Sequence, residues 1–162
     1  ERYERQWLKG MRAKLGLVSE EEADLNLATG FLTAMEGQKV DYTLAFRYLA
    51  DAALGQEERM RALFADPSAY DLWSGPWRAR LAREAVAPLV RAQAMRRANP
   101  AFTPRNHRVE EALSAAVERA DYAPFETLLN ILSRPFDDQP EFVAFAEPAP
   151  EGQGCYQTFC GT

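Results

Sequence analysis

The chain has 162 residues, 47% apolar and 27% charged, with a net charge of −5. That is enough for one domain with its own core, and the balance excludes wholesale disorder. The acidic balance argues against a nucleic-acid surface and offers no pull toward anionic lipid, and no apolar run approaches the roughly 20 residues that span a bilayer.

Tyr3, Trp7, Leu8, Met11 and Leu15 recur at helical spacing, so 1–15 reads as an amphipathic helix that stops at Gly16. The opening Glu1-Arg2-Tyr3-Glu4-Arg5 has no initiator Met and no signal peptide, and is already in helical register. It reads as a cut inside a longer polypeptide. Ser19 and Glu22 have capping-box spacing, which predicts a second helix starting there, with Leu25, Ala28, Phe31, Leu32 and Met35 inward and Gly37 as its end. Asp41 is expected to cap a third helix, with Leu44, Ala45, Tyr48, Leu49 and Ala52 facing the core and Gly55 breaking it.

A short helix is expected over 57–64. Ser68 and Asp71 suggest another capping box, and Pro76 is expected to divide Tyr70–Trp73 from the next element. Trp77, Leu81, Ala85, Leu89, Ala92 and Met95 then read as one long helix, kinked near Pro88. After the Asn99-Pro100 turn, a helix over 105–119 carries Val109, Leu113, Ala116 and Val117. Pro124 opens a last helix through Leu132. The prediction is an all-α fold, a bundle of about six to eight helices over 1–134. Residues 135–162 form a Pro/Gly-rich tail expected to be extended.

Few residues carry chemistry. There is no G-x-x-x-x-G-K-[ST], no G-x-G-x-x-G, and neither of the kinase-type strings H-R-D and D-F-G. ATP chemistry needs phosphate-binding amides, a Lys and metal-binding carboxylates together. No catalytic, cofactor-binding or metal residue is therefore assigned in this chain. Arg105-Asn106-His107, at the start of a helix, reads in two ways. It could bind an anion or a partner's carboxylate. Alternatively, Asn106 caps the helix and Arg105 pairs with an acidic neighbour. Trp7, Trp73 and Trp77 read as core, and Glu20–Glu22 and Asp137-Asp138 as solvated charge. Cys155 and Cys160 are the two cysteines, too few for a disulfide framework, which points to a reducing compartment. Cys160, two residues from the end, is a candidate for thiol exchange or oxidation, or a plain surface cysteine.

Several strings occur in a fixed order. They are Met11-Arg12-Ala13-Lys14-Leu15-Gly16-Leu17, Asp41-Tyr42-Thr43-Leu44-Ala45-Phe46-Arg47, and Asn99-Pro100-Ala101-Phe102-Thr103-Pro104-Arg105-Asn106-His107. Glu110-Glu111-Ala112, Arg134-Pro135-Phe136 and a Cys-containing end come after them. The sequence resembles the C-terminal region of the selenoprotein O (SelO) family over nearly its whole length.

The resemblance implies a kinase-like (pseudokinase-type) parent that transfers AMP from ATP to hydroxyl side chains of proteins, with a divalent metal, Mg or Mn. Its nucleotide and metal residues would lie in an upstream kinase-like domain, the expected partner of this region. Protein substrates are further partners; nucleic acid and membrane are not expected. Cys160-Gly161-Thr162 stands where many members end in Cys-Ser-Ser or selenocysteine-Ser-Ser, which implies a redox role for Cys160. A bacterial-type member is expected in the cytoplasm. The alternative is a non-catalytic helical module that binds other proteins.

Overall fold

The computed structural model describes residues 2–150. Those residues form eight α-helices and one 3-10 helix, with no strand among them, so the expected all-α class is what the chain adopts. They fall into two compact units, Glu1–Pro100 and Ala101–Thr162, the second described as far as 150.

In the first unit the helices are α1 (Arg2–Leu15), α2 (Asp24–Met35), α3 (Tyr42–Ala52), α4 (Glu58–Arg61), α5 (Pro67–Ala82) and α6 (Pro88–Ala98). α1 packs on α2 and α6, α2 on α5, and α3 on α6. The core is aromatic. Phe31 lies 4.3 Å from Trp73 and meets Phe46 edge-on at 5.1 Å, and Trp73 stacks on Trp77 at 5.4 Å. Burying indoles requires partners for their N–H groups. Trp77 Nε1 donates to the Leu15 carbonyl and Trp73 Nε1 to that of Leu27, both at 2.9 Å. The tryptophans are packing residues, as their spacing suggested.

Gly16 ends α1 in a Schellman turn: Leu17 N–H donates to Arg12 O at 2.9 Å and Gly16 N–H to Ala13 O at 3.3 Å. Gly16 has φ +77°, and a Cβ there would sit 2.6 Å from Met95 Sδ. Backbone conformation and space both demand glycine. Asp41 caps α3 as expected, accepting from Leu44 N–H at 2.8 Å.

Other boundaries differ from the sequence expectation. α2 starts at Asp24, because Ser19 and Glu22 do not form a capping box. The Ser19 hydroxyl donates to Glu84, and Glu21 N–H is held by the Asp24 carboxylate at 2.8 Å. The cap of α5 is Asp66, which accepts from Ser68 N–H at 2.9 Å; Ser68 itself lies inside the helix. α5 runs through Pro76 without interruption. The expected long helix is instead broken before Pro88, with Ala87 extended at ψ 134°. The residue before a proline disfavours helical ψ, and Pro88 fits the first turn of α6.

In the second unit, α7 (Asn106–Arg119) and α8 (Ala123–Leu132) form a hairpin, followed by a 3-10 helix at Pro140–Phe145. Ala120 ends α7 with φ 50°, and Asp121 N–H closes the turn on Ala115 O at 3.1 Å. Part of the expected tail is built into this unit. The Pro135 carbonyl accepts from Ala101 and Phe102 N–H at 2.8 and 3.1 Å. Gln139 is buried and donates to the Ile131 and Arg134 carbonyls at 3.1 and 3.0 Å. Residues 135–150 are thus not a purely extended run.

Candidate functional site

The sequence candidates Arg105, Asn106 and His107 lie at the start of α7 but do not converge. Asn106 is the first helical residue and exposed, not the cap; Arg105 takes the N-cap position without a side-chain cap bond. Its guanidinium donates through Nε and Nη2 to the Ala146 carbonyl at 3.1 and 2.6 Å. His107 is buried, 4% exposed. Arg108, not singled out from sequence, reinforces Arg105. It donates to the Ala144 carbonyl at 3.1 Å and lies 5.3 Å from the Phe145 ring centre, a cation–π distance. The first turn of α7 therefore grips the 3-10 helix through two arginines. Cys160, the redox candidate, and Cys155 lie outside the described residues.

A second polar cluster lies inside the first unit. Asp24 occupies the core register of α2, at i, i+4 and i+7 with Ala28 and Phe31, and is 1% exposed. It accepts from Arg12 Nε at 2.7 Å, Arg80 Nε at 2.9 Å and Glu21 N–H at 2.8 Å. Arg80 continues to Glu84 at 2.9 Å and to the Ser19 carbonyl at 3.0 Å. Glu84 accepts from the Val18 and Ser19 N–H groups at 3.0 and 2.9 Å, the Ser19 hydroxyl at 2.8 Å and Arg91 at 2.8 Å. Arg91 also donates to the carbonyls of Gly16 and Leu81. Three guanidiniums and two carboxylates thus tie the 16–21 loop to α1, α2, α5 and α6.

The electrostatics follow from those bonds. Burial pushes the Glu84 carboxyl upward, but the Ser19 amide, Arg91 and the Ser19 hydroxyl outweigh it and hold the group down at about 2. Burial likewise opposes ionisation of Asp24, and Arg80, the Glu21 amide and Arg12 overcome it and lower the group. A carboxylate held this low is a poor proton acceptor near neutral pH. Its oxygens are also occupied by N–H donors, so neither residue fits a divalent cation, which needs free carboxylate oxygens. Among the described residues no three His, Cys, Asp or Glu side chains gather to hold a metal. The cluster positions backbone.

The cluster adjoins a further polar knot made by the motif strings. Asn99, fully buried, donates to the Lys14 carbonyl at 2.9 Å and accepts from Lys14 Nζ at 3.3 Å. Arg47 Nη1 donates to the carbonyls of Arg96 and Asn99, both at 2.9 Å. Lys14 Nζ lies 5.2 Å from the Phe46 ring centre. Arg12, Lys14, Arg47 and Asn99 come from three strings far apart in sequence, and each uses its polar group to close the interior.

Among the described residues no helix is long and apolar enough to cross a membrane. The family model described as "Protein adenylyltransferase SelO" matches residues 1–133. The chain is 53% identical to a "Protein nucleotidyltransferase YdiU" of Methylorubrum extorquens, covering 94% of this chain and 32% of that protein. It is 47% identical to the protein of that name from Rhizobium rhizogenes and 48% to that from Rhodopseudomonas palustris, over 100% of this chain and 33% of each. The chain spans about a third of the length of these relatives. With a family match over residues 1–133, the chain belongs to the SelO protein adenylyltransferase family.

Proposed function

We propose that this chain is the C-terminal helical domain of a SelO-type protein adenylyltransferase. Its role is to support an upstream kinase-like domain, which uses ATP with Mg or Mn to transfer AMP to Ser, Thr or Tyr hydroxyls of protein substrates in the cytoplasm. One observation carries this division of labour. Among the described residues, the carboxylates of Asp24 and Glu84 are saturated by arginine and amide donors, so this polar cluster serves the fold. The relatives' name, protein nucleotidyltransferase, supports the activity of the parent. Deleting this region from the full-length protein is expected to reduce AMP transfer to a protein acceptor at least tenfold. Unchanged transfer would remove the supporting role.

The regulatory part is a separate reading. Cys160 forms a disulfide with a cysteine of the upstream region under oxidising conditions, with Cys155 as the competing partner. Peptide mapping of the oxidised full-length protein tests it, and only free thiols at Cys160 would end it.

A further inference from the structure

The α7–α8 hairpin leaves one apolar face uncovered. Leu113 and Val117 on α7 and Phe125 and Leu129 on α8 are exposed, Val117 by 83% and Leu129 by 61%. Each directly follows a buried or half-buried residue: Ala112, Ala116, Pro124 and Leu128. One residue turns a helix by about 100°, so all four are offset in the same sense from the packed seam. The two helices are joined by the three residues 120–122 and pack on each other, which makes them antiparallel. Reversing a helix reverses its sense of rotation, and facing it toward its neighbour reverses the direction of its seam. The two reversals bring both flanks to one side, so the four side chains form a single stripe.

The stripe has an acidic border. Glu110 and Glu126, both exposed, stand three residues before Leu113 and Leu129. The charge of the whole unit has the same sign: Ala101–Thr162 carries four basic and ten acidic residues, whereas Glu1–Pro100 carries fifteen and fourteen. A contiguous run of large apolar side chains rimmed by charge is the pattern of an interaction surface.

We propose that this stripe seats a basic, apolar surface of the kinase-like part of the same polypeptide; this rests on the function proposed above. A second copy of the chain fits poorly, because a two-fold contact would set the acidic rims against each other. The chain spans about a third of its relatives' length, and a partner on the same polypeptide is present at high effective concentration.

Thiol labelling of the full-length protein, read peptide by peptide by mass spectrometry, tests the proposal. Val117→Cys and Leu129→Cys are expected to label at least tenfold more slowly than Ser114→Cys, an exposed α7 position off the stripe. Adding Glu110→Lys and Glu126→Lys is expected to bring the slow rates toward that of the control. Carbene footprinting of Val117 and Leu129 in the unsubstituted protein makes the same comparison without relying on the variants' folding. Equal rates at all three positions overturn the proposal. Protection that vanishes on dilution also overturns it, and assigns the face to a second copy or a separate protein. If AMP transfer requires the region while the rates are equal, the supporting role survives and this face is excluded from it.

Discussion

Glu84 concentrates the energetics of the first unit in one side chain. Its carboxylate receives two backbone amides, one hydroxyl and two guanidiniums, and is 6% exposed. Glu84→Gln keeps the volume but leaves Arg80 and Arg91 with less charge to meet. Breaking a buried ion pair costs about 3–5 kcal/mol, and a loss of that size is expected in the urea unfolding free energy. A pH titration checks the same group independently. Because the folded-state carboxyl lies near 2 and its ordinary value is 4.5, the unfolded chain binds the proton more readily. The stabilisation is therefore complete above about pH 4.5 and is lost as pH falls toward 2. Asp24, lowered as well, adds in the same direction. In Glu84→Gln the decline of stability over that interval should be shallower than in the parent. This cluster was not singled out from the sequence: the loop at 16–21 lies about 60 residues from Arg80 and Glu84, and no local spacing encodes that pairing.

Helix ends show where local chemistry decides and where it does not. Gly16 and Asp41 act as the sequence suggests, since positive φ and an N-cap acceptor are local requirements. Gly16→Ala combines a left-handed alanine with a Cβ 2.6 Å from Met95 Sδ. It is expected to destabilise by about 1–3 kcal/mol, measured by the denaturation midpoint. Ala120 is the opposite case, a non-glycine residue at φ 50°. Ala120→Gly relieves a left-handed penalty of about 1–2 kcal/mol and gives back part of it as unfolded-chain entropy. A net gain of about 0.5–1 kcal/mol in thermal unfolding is expected; a loss would mean that the αL turn carries no strain. The two prolines show the limits of propensity. Pro76 is carried inside α5 between the buried Trp73 and Trp77, whereas Pro88 coincides with a break, its predecessor Ala87 being extended. The same residue type thus has two outcomes that local spacing does not separate.

At the scale of the molecule, the helical class, the core tryptophans and the family strings were legible, while the roles of the strings were not. Arg105-Asn106-His107 read either as a binding cluster or as a helix cap with Arg105 paired to an acidic neighbour. In the fold Arg105 holds Ala146, and His107 is buried, because a helix start sends neighbouring side chains in different directions. Arg108, one turn's arc beyond Arg105, completes the grip on the 3-10 helix and had no signal in its own sequence context. The strings Met11–Leu17, Asp41–Arg47 and Asn99–His107 thus contribute to cohesion, which fits a region that supports chemistry performed elsewhere in the polypeptide. Chemistry upstream and support from this region make a division of labour. It is tested most directly by incubating the isolated 162-residue chain and the full-length protein with ATP, Mg or Mn and a protein acceptor, and reading the AMP adduct by mass spectrometry. Adduct is expected with the full-length protein and none above background with the chain alone; AMP transfer by the isolated chain would place the chemistry in this region instead.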